Sequence, residues 1–268
     1  QFLGGPSHFE IVILGAIALF VFFFVKMVFL AVLIWKTNTF IFNARATLSF
    51  DLFSNYLNQD WSFHLRRNSA ELISNLTNET NQFSTGVLLP IFTLVTESLI
   101  LLAIFSLLVI IEPVGALLVI ASLGIFGLYF QHLTRGRILK WGKARQHHES
   151  MRIRLLQEGL GGAKDVKLLA CEPEVLAQYH VHNKESVRVT GLQNTMQQLP
   201  RLWIEMLAVC GLILLIAIMT LQGSSSESII PMLGTFGVAA FRMMPSYSRV
   251  MGSLQSLRYS QAVVDTLY

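Results

Sequence analysis

The chain has 268 residues, 53% of them hydrophobic and only 13% charged, with a mean hydropathy of +0.55. Soluble domains carry about 25% charged residues, so this composition excludes disorder and an ordinary cytosolic enzyme. The sequence pI near 9.2 needs no nucleic-acid partner, because Lys and Arg lying beside anionic lipid produce the same balance.

Five apolar stretches follow one another: Ile11 to Trp35, Val87 to Ile111, Val114 to Thr134, Leu202 to Leu221 and Ile229 to Tyr247. A helix needs roughly 20 apolar residues to cross a hydrocarbon core of about 30 Å, so each stretch predicts a span. Barrel strands alternate with period two over about ten residues, and these runs do not. The predicted fold class is all-α and integral to a membrane.

The outer segments 1–10, 112–113 and 222–228 hold no Lys or Arg, whereas the inner segments 36–86, 135–201 and 248–268 hold 4, 12 and 2 of the 20. Positive flanks stay cytoplasmic, which places the C-terminus inside. An odd number of spans and Gln1 as first residue predict a fragment lacking one earlier span, with Phe2 to Glu10 as an outer connection. The first run is too long for a signal peptide. Cys171 is expected inside and Cys210 within a span, so no disulfide joins them.

The inner connections are 51 and 67 residues long, against two and seven outside, and must build structure of their own. The first is predicted helical through Ala44 to Asn58, broken near Gln59-Asp60-Trp61, and restarted at Asn68-Ser69-Ala70-Glu71, a capping-box pattern. In the second, Arg135 to Glu158 continues a span about 36 Å beyond the membrane at 1.5 Å per residue. Gly159-Leu160-Gly161-Gly162 breaks it, Ala163 to Cys171 forms a short piece, and Pro173 to Gln198 returns. Two knuckles far from the bilayer result.

This layout, with Asn68-Ser69-Ala70-Glu71-Leu72-Ile73 after the first knuckle and Gly162-Ala163-Lys164-Asp165-Val166-Lys167-Leu168 at the second, resembles the type I exporter transmembrane domain of ABC transporters. Within that family, Leu199-Pro200-Arg201-Leu202-Trp203-Ile204-Glu205 and Phe241-Arg242-Met243-Met244-Pro245-Ser246 through Arg249 look most like lipid-linked oligosaccharide flippases of the PglK type. The resemblance covers essentially the whole chain. It implies a six-helix permease that acts as a homodimer in the bacterial inner membrane.

The resemblance further implies that Asp60 to Arg67 (Asp60, Trp61, Phe63, His64) and Gly161 to Lys167 (Gly162, Lys164, Asp165, Lys167) are coupling helices that seat in nucleotide-binding domains. ATP and Mg would be bound there, since this chain carries no cofactor site of its own. The nearest phosphate-loop string, Gly159 to Asp165, reads GLGGAKD and lacks the Gly-Lys-Ser/Thr ending. A nucleotide-binding domain is expected to follow Tyr268. No catalytic constellation is present.

Charges inside spans are costly, about 2.5–3.5 kcal/mol at a helix centre, and tend to face a cavity or partner. Lys26 and Arg242, with Arg201 and Arg249 near the boundary, are the candidate substrate-binding residues, because guanidinium forks suit a lipid diphosphate. The alternative for the same residues is that Lys26 snorkels, Arg201 marks the boundary, Arg242 pairs with Glu97 or Glu205, and Arg249 faces the cytoplasm. Pro90, Pro231 and Pro245 are expected to kink their spans. His147-His148-Glu149 and His180-Val181-His182 lack metal-ligand spacing and are expected on solvated helix surface. Asn75-Leu76-Thr77 and Asn78-Glu79-Thr80 match the glycan acceptor pattern but fall inside. An exporter of lipid A-like lipids, peptides or drugs remains an alternative, as does a non-transporting membrane scaffold or receptor.

Overall fold

The computed structural model describes residues 8–111, 113–221 and 226–267. Every described element is helical. Helix α1 (His8–Leu57) runs 50 residues, about 75 Å at 1.5 Å per residue, and is followed by the short α2 (Trp61–Arg66). Helices α3 (Ser69–Ser74), α4 (Thr80–Phe83) and α5 (Leu89–Ile111) make one continuous rod, joined by π-helical turns at Asn75–Glu79 and Ser84–Leu88. Then come α6 (Pro113–Gly161), α7 (Ala163–Leu168), α8 (Glu172–Leu221), α9 (Ser226–Tyr259) and α10 (Gln261–Leu267). Val12–Leu57 and Ser69–Ile110 are long and apolar enough to cross a membrane by length and composition; α6, α8 and α9 carry the other three predicted spans.

Helices α6 and α8 pack along each other most extensively, α5 against α9 next, and further α8–α9, α6–α9 and α5–α6 contacts close a four-rod bundle. The main contacts of α1 are with α4, the π turns and α5, and none of its most apolar window is buried. Leu101 and Leu108 of α5, Ala116 and Leu123 of α6, Ile204 of α8 and Met243 of α9 form the apolar core. Lipid is as apolar as leucine, so close packing and hydrogen bonds, not exclusion of water, hold such a core together. Tyr247 of α9 adds one, its hydroxyl donating to the Leu123 carbonyl at 2.6 Å. At Gly142 a Cβ would strike the backbone carbonyl of Tyr259, so α6 and α9 cross at a separation only glycine permits.

Both predicted knuckles form. The first break lies between Leu57 and Trp61, and Asn68 caps α3 by accepting from the Ala70 amide at 2.8 Å. The expected capping box does not close: the Glu71 carboxylate takes Arg67 instead, at 2.7 Å, because a charge-assisted bond is stronger than one to a neutral amide. At the second knuckle α6 stays helical through Gly161, and only Gly162 leaves the helix, with φ −96° and ψ 23°. Ala170 turns the chain into α8 at φ 50°, left-handed backbone that costs a β-carbon-bearing residue about 1–2 kcal/mol. Pro200 lies inside α8, and α9 is continuous through Pro231 and Pro245.

Candidate functional site

The structure distributes the expected residues over three places. The first is the pair of knuckles. Asp60 stands at the N-cap of α2, its carbonyl accepting from the Phe63 amide at 2.9 Å, while its side chain caps nothing. The Phe63 ring stacks on Tyr56 at the end of α1 and meets the His64 ring edge-on. That fixes α2 against α1 and leaves Trp61 75% and Leu65 70% exposed. On α7, Lys164 and Asp165 are exposed, and Lys167 is tied to Glu172 at the start of α8 by a 2.8 Å ion pair. That hydrogen bond raises the Lys167 pKa and lowers that of Glu172. Leu160, Leu168 and Leu169 also stand exposed around α7. Exposed apolar groups at the tip of a charged hairpin mark an interaction surface.

The second place is the set of membrane cations. Arg242 and Arg249 are seven residues apart on α9, two turns, and therefore share a face. Arg249 donates to Glu97 of α5 at 2.5 Å, with Glu97 buried and its second oxygen, Oε2, free of hydrogen bonds among the described residues. Arg201 pairs with Glu205 one turn along α8 at 2.9 Å. This corrects the alternative pairing of the sequence reading: Glu97 and Glu205 are taken by Arg249 and Arg201, and Arg242, exposed, has no ion pair among the described residues. Position along the helix, not face, decides the first exchange: Arg249, two turns beyond Arg242, is the one within reach of Glu97. Lys26 lies over the Phe23 ring of its own helix, 5.3 Å from the centroid, and no described contact joins it to the arginines.

The third place was not foreseen as a site. Glu79, 1% exposed, accepts two bonds from Arg145 of α6 at 3.0 and 3.2 Å. Burial raises the Glu79 pKa more than Arg145 lowers it, and Glu149 adds to the rise. Glu149 gathers Arg152 at 2.7 Å, Ser186 of α8 at 3.0 Å and Asn78 at 3.1 Å. A neighbouring cavity of about 350 Å³ is lined by α4 and its flanking π turns, α6, α8 and α9. The signal was present in the sequence: Asn78, Asn81, Gln82 and Thr85, and Ser186, Thr190, Gln193, Asn194 and Gln197, are polar stripes at spacings of three and four that mark one helix face.

His147 and His180 are exposed as expected, but His148 and His182 are not. His148 and His182 are half-buried and face each other with Nδ1 atoms 2.9 Å apart, clasping α6 to α8. Spacing within one helix said nothing about a partner on another. Among the described residues no group of three or more His, Cys, Asp or Glu side chains is arranged to hold a metal, and Cys171 and Cys210 are free thiols.

The family model of the ABC transporter transmembrane region matches residues 2–244. The chain belongs to that family. It is thus an integral membrane permease domain, the transmembrane half of an ABC exporter, and members of this family pair with nucleotide-binding domains and dimerise. The GLGGAKD stretch is not a phosphate loop in the fold either: it is the end of α6 and the start of α7, whereas that loop links a strand to a helix.

Proposed function

We propose that this permease moves a lipid-linked oligosaccharide, or a similar anionic lipid, by alternating access as a homodimer driven by ATP. The single observation that carries the cargo assignment is the row of Arg242 and Arg249 on one face of α9, with Arg249 held on a buried glutamate. An isolated guanidinium in a span is expensive, and a planar fork is the group that binds phosphate oxygens in pairs. Arg201 on α8, paired with Glu205, adds to the cationic set, and Lys26 joins it from α1 only in a state that frees it from Phe23.

ATP and Mg are held by a nucleotide-binding domain, and force enters through the knuckles: Asp60, Trp61, Phe63 and His64 on one, Gly162, Lys164, Asp165 and Lys167 on the other. The exposed Trp61, Leu65, Leu168 and Leu169 support docking there. Long α6 and α8, 49 and 50 residues, are rigid enough to transmit the movement. The knuckle side is cytoplasmic, as the concentration of Lys and Arg there supports, and the membrane is a bacterial inner one, as the flippase resemblance implies.

Arg242→Gln and Arg249→Gln, separately and together, test the cargo in proteoliposomes of the full transporter. The double variant is expected to lower flipping of a polyprenyl-diphosphate oligosaccharide at least tenfold while leaving efflux of a neutral drug in place. Flipping at the wild-type rate rejects the assignment.

A further inference from the structure

We propose that the amide-lined cavity on the knuckle side of the arginines is a binding site for a neutral, polyhydroxylated group, a sugar residue. Three observations converge on it. Its wall is built from side-chain amides on two helical segments: Asn78, Asn81 and Gln82 on one, Gln193, Asn194 and Gln197 on the other. Gln193 is 2% exposed, and neither its Oε1 nor its Nε2 has a partner among the described residues. A buried amide without partners costs free energy that a bound polar group or water recovers. Finally, the Asn75–Glu79 and Ser84–Leu88 π turns bracket Asn81 and Gln82, and such turns recur at functional sites because they break the regular ladder.

The chemistry of the wall selects the ligand. Its charges are paired, Arg145 with Glu79 and Glu149 with Arg152, so the wall has no unpaired charge to favour an ion. A primary amide offers a donor and an acceptor side by side, which suits adjacent hydroxyls, each able to give and take a bond. Among the described residues of the wall Tyr259 supplies the one aromatic ring, and most of the others are polar. A volume of about 350 Å³ accommodates a single sugar ring with water to spare, water taking about 30 Å³ per molecule.

Its position ties it to the cations. Gln197 lies one turn before Arg201 on α8, and Ser256 of the wall lies two turns beyond Arg249 on α9, about 10 Å along the helix. A lipid diphosphate at the arginines would therefore place its first sugars at the amides. This lipid-borne form rests on the function proposed above; a free sugar would use the same hydrogen bonds without it.

The test uses the full transporter with three probes: a polyprenyl-diphosphate oligosaccharide, the same lipid diphosphate without sugar, and free N-acetylglucosamine followed by saturation-transfer NMR. Gln193→Leu keeps the volume and removes the unmet amide, so it should fold, and Asn194→Ala provides a second variant. Each is expected to raise KM for the sugar-bearing lipid about tenfold, the worth of one or two neutral hydrogen bonds, with the sugarless lipid unchanged and Arg249→Gln impairing both. Equal effects on both lipids, or none on either together with no saturable N-acetylglucosamine signal, overturn the site. Loss of the free-sugar signal in Gln193→Leu, with Arg249→Gln harmless to both lipids, retains the sugar site and rejects the diphosphate reading instead.

Discussion

The bundle is held by two kinds of packing that behave oppositely. Around Leu101, Leu123 and Met243 the contacts are apolar, and any side chain of similar volume would serve. Around Glu79 and Arg145 they are charged, directional and buried, and each group depends on one partner. In an aqueous protein the apolar core would dominate stability; in a membrane it competes with lipid of the same polarity. The polar layer should therefore be the more sensitive of the two.

The largest expected effect follows from removing one member of the buried pair. Arg145→Met leaves Glu79 uncompensated and should cost about 3–5 kcal/mol, read as a fall in the thermal midpoint of the purified permease in detergent. Glu79→Gln combined with Arg145→Met should recover much of that loss, since neither group then needs a partner. The pH dependence has a definite sign. Burial raises the folded-state pKa of Glu79 above its ordinary value, so its contribution is complete below about pH 4.5 and is lost as pH rises through the folded pKa. With Arg145 gone the rise is greater, and the defect of Arg145→Met should shrink as the solution is made acidic. A defect independent of pH would mean that Glu79 is not the group left exposed to the penalty.

Leu123→Ala sharpens the comparison from the other side. Truncating a buried leucine in an aqueous core costs about 2–5 kcal/mol. Here only packing is lost, because lipid replaces no water, and about 1–2 kcal/mol is expected. A loss equal to that of Arg145→Met would erase the distinction between the layers.

The same contrast explains what could be read in advance. Helix positions and both knuckles follow from length, apolar runs and glycines, which act locally: residues 58–60, beside the expected Gln59-Asp60-Trp61 break, and Gly162 interrupt the helices. Partners across helices do not follow, because they depend on how rods are rotated against each other. Thus Glu97 was assignable to an arginine but not to Arg249, and Glu71 was drawn away from its cap by Arg67. The amide stripes of α4 and α8 were visible as patterns, yet only their meeting across one cavity gives them a purpose. The arginines stood out as charges in or beside apolar spans and the knuckles as helix breaks; the coupling role of the knuckles came from the resemblance, and all these roles rest on the experiments above.

The smallest predicted effect concerns the clasp between α6 and α8. One of the two facing Nδ1 atoms of His148 and His182 must carry the proton for a bond at 2.9 Å, whereas two imidazolium rings at that separation repel. Burial lowers the His148 pKa first, the nearby His147, His182 and Arg188 lower it further, and Glu185 opposes them. Its folded pKa thus lies below the unfolded value of about 6.5, so the clasp contributes above that value and is lost as pH falls through the folded pKa. Amide exchange in α6 and α8 beside these residues, corrected for intrinsic rates, should quicken on moving from about pH 7.5 to about pH 5.5. His148→Gln keeps a hydrogen-bonding group that does not titrate there and should flatten the response. An equal quickening in wild type and variant would assign the acid sensitivity to another pair and leave the histidines as packing.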